Sequence, residues 1–331
     1  MKALLLTEKD IHQLLSIDEV IEAVESAFKE KGLSRVQLPP KPYLFYSKYN
    51  GDLRVMPSYL EEFDISAVKI VNVHPNNPVK YKLPSVMATV ILVDPKNGEP
   101  LAIMGGTWIT AMRTGAAGGV AAKYLARAGS RVIGMVGAGV QARTQLMALK
   151  EVLKKIEEVR VTDIIKASRE KYAEEMSEKL GLNVRAVNNV KETVRGADVA
   201  VTVTPTRVPI VKSEWIGPGT HINAIGADAP GKEELDPELL KRAKIVIDDW
   251  EQASHSGEIN VPLAEGIITK ENIWGEIGEI VAGLKPGRAS FDEITVFDST
   301  GLAIQDAVTA NLAYKKALAK SIRAYIDLGY T

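Results

Sequence analysis

Short alternating apolar runs dominate the first third of the chain. They span Pro42 to Phe45, Leu53 to Met56, Ile65 to Val73 and Val86 to Val93, with Asn50-Gly51, Pro75-Asn76-Asn77-Pro78 and Pro95-Lys96-Asn97-Gly98 between them. Alternation at a period of two predicts strands, and the short polar connections predict a sheet built from hairpins. A helix precedes them. Ser16-Ile17-Asp18-Glu19 has the spacing of a capping box, and Ile17, Val20, Ile21, Val24 and Phe28 recur at helical spacing as far as about Lys31. A second helical stretch, Thr107 to about Arg127, is dense in small residues at Gly115, Ala116, Ala117, Gly118 and Gly119. Glycine costs helix stability relative to alanine, so these positions predict close approach of a second backbone or a cofactor.

From Arg131 onward strand and helix patterns alternate. Candidate strands cover 131–136, 158–163, 183–187, 199–203, 220–225, 244–248 and 294–297, which predicts a parallel sheet covered on both faces. The first of them ends at Gly137, and a helical pattern, Gln141 to Lys154, follows Gly139. Gly137-Ala138-Gly139-Val140-Gln141-Ala142 fits G-x-G-x-x-A. Gly137 suits a tight turn, Gly139 leaves room for a diphosphate, Ala142 allows close helix-to-strand packing, and the helix N-terminus offers N–H groups to phosphate. A second strand ends in Asp163, about 20 residues further on, where an acid accepts hydrogen bonds from a ribose. Asp163 favours NAD(H), while nearby Lys166 and Arg169 leave NADP(H) open. A last helix runs from Leu302 to about Ala319, its apolar face expected to pack back on the first domain. The expected fold class is α/β, a Rossmann dinucleotide-binding domain (121–301) inserted into a discontinuous α+β domain (1–120, completed by 302–331).

Composition narrows the partners. A net charge of -1 offers no basic field for nucleic acid or an anionic membrane, so a small-molecule ligand is expected. The absence of cysteine excludes disulfides and thiol chemistry. Met1 to Glu8 meets an acid too early for a signal peptide, and no apolar run approaches the roughly 18 residues of a membrane span, so a cytoplasmic location is expected.

Chemistry enters through four cations and one acid. Lys41, Arg54, Lys69 and Arg113 crowd the first domain, and Lys69 lies inside the apolar strand Ala67-Val68-Lys69-Ile70-Val71, where a charge needs a reason. Ammonium and guanidinium groups together predict a small carboxylate substrate. Asp228, at the carboxyl end of a strand, is placed to move a proton. The stretch around it, Gly226 to Glu233, resembles a P-loop but lacks the hydroxyl that would hold Mg²⁺, which excludes nucleotide hydrolysis. His12, His74, His221 and His255 have no mutual metal-ligand spacing, and no metal is expected.

Several stretches, in order along nearly the whole chain, are similar to the ornithine cyclodeaminase/mu-crystallin family. They are Arg54-Val55-Met56-Pro57, Lys69 to Asn72 with His74-Pro75, Met112 to Ala117, Gly137-Ala138-Gly139, Asn223 to Asp228 with Pro230-Gly231-Lys232, and Asp298 to Asp306. Within the family the pattern most resembles archaeal alanine dehydrogenases and Δ1-pyrroline-2-carboxylate reductases. The resemblance implies a homodimer whose substrate domains join their sheets. It implies that Lys41 and Arg113 contact a substrate carboxylate, that Lys69 does so or donates a proton, and that Asp228 is the acid/base. Thr114, Val140, Gln141, Asp163, Thr204, Asn223, Ala224, Ile225, Lys232 and Ser299 are implied cofactor contacts. One departure matters: cyclodeaminases carry an acid before the Met-Pro pair to hold the distal ammonium of ornithine, and here that residue is Arg54.

The expectation is therefore an NAD(P)H-dependent oxidoreductase acting on the C–N bond of a small α-imino or α-amino acid. Reduction of Δ1-pyrroline-2-carboxylate to L-proline ranks first, since it needs only a hydride and a proton. Alanine dehydrogenase is the alternative, ornithine cyclodeamination is disfavoured by Arg54, and a non-enzymatic nucleotide or small-ligand binder is opposed by the retention of both Lys69 and Asp228.

Overall fold

The structure, a computed structural model, describes residues 2–329. It divides into two compact units, one running up to Arg113 and resuming at Leu302, the other Thr114–Gly301. The first part of the chain forms β1 (Lys2–Leu6), α1 (Glu8–Leu14), α2 (Ile17–Gly32), β2 (Val36–Gln37), β3 (Tyr43–Tyr46), β4 (Gly51–Leu60), β5 (Ile65–Val73), α3 (Asn77–Lys80), β6 (Val86–Val93), β7 (Pro100–Gly105) and α4 (Thr107–Leu125). The middle forms β8 (Val132–Val136), α5 (Val140–Val152), β9 (Glu158–Thr162), α6 (Lys166–Leu180), β10 (Val184–Ala186), α7 (Val190–Val194), β11 (Val199–Thr202) and β12 (His221–Ala224). There follow α8 (Pro237–Leu240), β13 (Lys244–Ile247), α9 (Trp250–Ser256), α10 (Asn260–Ala264), β14 (Ile273–Glu276), α11 (Ile277–Val281), β15 (Thr295–Asp298), α12 (Ala303–Ala319) and β16 (Tyr325–Asp327).

In the first unit the sheet order is β16-β1-β7-β6-β5-β4-β2, with β3 also on β4. The expected hairpins are present from β3 to β6, all antiparallel; β7 adds antiparallel to β6, and β1 joins β7 in parallel. Alternation buries Arg54, Met56, Ser58 and Leu60 of β4 and Ile65, Ala67, Lys69 and Val71 of β5. Met56 lies opposite Lys69, and α12 covers both strands and packs on α2. Ala303 at the start of α12 closes an apolar cluster with Met56 and Val71. The apolar face of α12 thus packs on the first unit, as its sequence indicated.

Two local expectations need correction. Ser16 does not cap α2 through a capping box, because its hydroxyl donates to the Glu19 carboxylate instead of accepting a backbone N–H; the capping box forms at Thr7 and Asp10 of α1. The boundary between the units falls at Arg113/Thr114, ahead of residue 120, because the small residues of α4 pack against α5 within the second unit. A Cβ on Gly115 would lie 2.5 Å from the Thr144 carbonyl oxygen, so the close approach is to a helix backbone.

The second unit holds an all-parallel sheet in the order β10-β9-β8-β11-β12-β15-β13-β14. Two apolar layers enclose it, one including Ile133, Leu146, Val161 and Tyr172, the other Ala200, Ile222, Leu239 and Val296. The strand order reverses between β8 and β11, which opens a crevice at their carboxyl ends. This is a Rossmann domain inserted in an α+β domain. Among the described residues no helix is long and apolar enough to cross a membrane.

Candidate active site

The glycine turn after β8 stands at that crevice. Gly137 has φ +107, and a Cβ on it would meet the Val203 side chain at 3.0 Å and the Val203 carbonyl at 3.1 Å, so both dihedral and space require glycine. Gly139 differs: nothing lies within 4 Å of where its Cβ would be. It is the N-cap of α5, with no side chain capping the helix, so the N–H groups of the first turn, which includes exposed Val140 and half-buried Gln141, face outward. Ala142 is fully buried, as close packing of helix on strand requires.

Asp163 follows β9. One carboxylate oxygen accepts the Ala138 N–H at 3.0 Å and the other the Ile165 N–H at 2.9 Å, tying the glycine turn to the end of β9. A carboxylate has lone pairs left for two hydroxyls beyond these bonds. Arg169 donates to the Asp163 carbonyl and to Asn188, while Lys166 faces Glu170 at 3.7 Å. An open helix N-terminus beside an acid at the next strand end fits a dinucleotide diphosphate and its ribose.

The other implied cofactor contacts of this unit are placed as follows. Thr204, two residues past β11, gives its N–H and hydroxyl to Glu234. Asn223 is fully buried and its amide is spent on the Gly118 carbonyl, His221 and Gln145, so only backbone is on offer at that position. Of its neighbours, Ile225 N–H binds Thr202 O and Ala224 O accepts Ser299 N–H. The Ser299 hydroxyl is buried with no partner among the described residues. Asp228 and Lys232 form an ion pair at 2.5 Å. The Thr114 carbonyl accepts from Gln145. Among the described residues no group of three or more His, Asp or Glu could hold a metal.

Within the first unit, two of the four cations meet on one acid. Lys69 Nζ is 2.7 Å from Asp306 Oδ2, and Arg113 Nε donates to Asp306 Oδ1 at 3.0 Å. Arg113 Nη1 donates to Gln305 Oε1 at 2.8 Å, which also accepts the Leu302 N–H. All four side chains are buried. Asp306 sits in the first turn of α12, where the helix dipole favours a carboxylate. Two cations on one anion leave a buried positive excess. Burial, then the Arg113 charge and, least, that of Lys41 lower the Lys69 pKa to about 7 against the pull of Asp306. Lys41 is therefore electrostatically part of the cluster, although it is itself half-buried. Arg54, on the same face, is held by Asp52 at 2.8 Å and lies 5.2 Å from the Tyr43 ring centre.

Gln305 and Asp306 were visible in the sequence only as the end of a family-like stretch, and Glu234 carried no signal. A first-turn acid on an amphipathic helix looks solvated until the fold brings cations to it.

The sequence model of the ornithine cyclodeaminase/mu-crystallin family matches residues 1–321. An alanine dehydrogenase of Archaeoglobus fulgidus is 50% identical over 326 residues, 98% of each chain. The solved structure of an archaeal alanine dehydrogenase dimer with bound NAD superposes with a TM-score of 0.95 at 50% identity, covering 99% of this chain and 100% of that one. The Thermococcus litoralis Δ1-pyrroline-2-carboxylate reductase, in complex with NADH and L-proline, gives a TM-score of 0.94 at 47% identity, covering 98% and 100%. The chain belongs to the ornithine cyclodeaminase/mu-crystallin family.

Proposed function

We propose that the protein is an NAD(H)-dependent oxidoreductase acting on the C–N bond of a small α-imino or α-amino acid, with Δ1-pyrroline-2-carboxylate reduction to L-proline ahead of alanine dehydrogenation. The observation that carries the reading is the buried Lys69–Asp306–Arg113 cluster, whose excess positive charge suits a desolvated carboxylate. When bound, the reduced dinucleotide supplies a hydride. Gly137, Gly139, Val140 and Gln141 hold the diphosphate, Asp163 the ribose, and Thr114, Thr204, Lys232, Ser299 and the backbone of Asn223, Ala224 and Ile225 complete the cofactor contacts. Asp163 repels a 2′-phosphate, which favours NADH over NADPH.

Arg113 and Lys41 hold the substrate carboxylate. Lys69, with a pKa near neutrality, keeps a proton that it passes to the imine nitrogen, and Asp228 is the second acid/base. Arg54, engaged with Asp52, leaves no acid for a distal ammonium, which argues against ornithine cyclodeamination. The relatives support either substrate, and one of them is described as a dimer. We assign a homodimer here too: Leu44, Phe45 and Tyr49 lie exposed on and just after β3, apolar surface that a second copy would cover.

The deciding assay compares NADH oxidation with Δ1-pyrroline-2-carboxylate against pyruvate plus ammonia. The cyclic imine should show the higher kcat/KM. A higher value with pyruvate and ammonia makes alanine the product, and NADH binding without turnover of any imino acid makes the protein a binder.

A further inference from the structure

Glu234 and Glu258 are both fully buried in the second unit, yet their hydrogen bonds differ. Glu234 Oε1 accepts the Thr204 N–H and the Thr204 hydroxyl, each at 2.7 Å, and its Oε2 accepts the Gly226 N–H at 2.9 Å. Thr204 lies two residues past β11 and Gly226 two residues past the adjacent β12. Gly226 makes the approach possible, since a Cβ there would stand 2.3 Å from the Thr204 carbonyl oxygen and 2.5 Å from Glu234 Oε2. The backbone of Glu234 is fixed in turn: its carbonyl accepts from Ile210 and Val211, and the N–H groups of Glu234 and Leu235 donate to Glu258 Oε1 at 2.8 and 2.6 Å. The Thr204 and Gly226 donors, from two neighbouring loops, converge on the Glu234 carboxylate.

We propose that Glu234 is a positioning residue for the dinucleotide-binding edge: its carboxyl group clamps the loop after β11 to the loop after β12, setting Thr204 and the run from Gly226 to Lys232. The proposal rests on the dinucleotide reading above. Burial raises the pKa of Glu234, and the Thr202 hydroxyl, the Thr204 hydroxyl and the N–H groups of Thr204 and Gly226 oppose that rise by favouring its charged form. Glu258 is the member pushed further toward its neutral form. Burial and the charge on Glu234 push its pKa well up, and its Oε2 has no partner among the described residues to hold a negative charge.

Two amide substitutions separate the roles. Glu234→Gln sets an NH₂ group against the Thr204 or the Gly226 donors, so one loop is released. Its Kd for NADH, followed by quenching of protein fluorescence, should rise at least about tenfold, and KM for NADH should rise with it while KM for the imino acid stays within about twofold. Glu258→Gln, which mimics the neutral acid, should leave the Kd within about twofold. A folded E234Q protein that binds NADH like wild type overturns the proposal, as does an E258Q loss equal to that of E234Q. Failure of the wild type itself to bind NADH would instead sink the dinucleotide reading. Should E234Q not fold, amide hydrogen exchange on the wild type decides: residues 203–206 and 225–228 should exchange as slowly as β11 and β12, and fast exchange there overturns the clamp.

Discussion

A lysine on the buried face of an apolar strand destabilises a fold unless its charge is matched, and removing the match leaves the cost uncompensated. Asp306 provides it for Lys69 and Arg113 together. Asp306→Asn should therefore lower stability by about 3 kcal/mol. It should also shift activity. Asp306 raises the Lys69 pKa, so without it the proton leaves at lower pH, and the fall of kcat/KM expected of wild type as pH rises through about 7 should begin earlier in D306N. A limb that stays in place in D306N assigns the proton to another group. Sequence reading singled out Lys69 because a cation inside an apolar strand is conspicuous, and Arg113 because a planar guanidinium suits a carboxylate. Asp306 escaped it, since Arg113 is 193 residues away and no periodicity links them.

Elements show the same division between local and distant causes. Most strands of the second unit were readable from apolar runs ended by turn residues, as was α5 from its glycine turn. β1, β2, β7, β14 and β16 were missed: β2 has two residues and β16 is a three-residue edge strand exposed throughout, β14 carries a glycine at a sheet edge, and the run Lys2–Leu6 does not alternate. The glycines at either end of the α4 and α5 contact make opposite predictions. Gly115→Ala forces a methyl against the Thr144 carbonyl and should cost about 1 to 3 kcal/mol, seen as a lower Tm. Gly139→Ala meets nothing within 4 Å at φ -80, so Tm should hold while NADH affinity falls, because the added methyl occupies the approach of the diphosphate. Unchanged NADH binding in G139A would move the diphosphate elsewhere.

For the whole molecule, two buried groups shape stability against pH in opposite windows. Burial raises Asp298 from 3.8 to about 8, so the folded state holds more protons than the unfolded one between those values, and stability falls as pH rises across that window. Lys69, lowered from 10.5 to about 7, binds fewer protons when folded, so its contribution rises with pH from about 7 to 10.5. Asp298→Asn should gain on wild type progressively from pH 4 to 8 in urea unfolding, and parallel curves for the two proteins would show that Asp298 is ionised throughout. The placement of α12 has a consequence for how the protein is made. A ribosome releases the β4–β5 face early and the helix that covers it only after the whole of Thr114–Gly301 has been synthesised. Through that interval a nascent chain exposes Met56 and Val71, with Lys69 still lacking its acid, so the first unit completes its core only once α12 has emerged, and a chaperone that shields apolar surface has its greatest purchase on the stretch that was synthesised first.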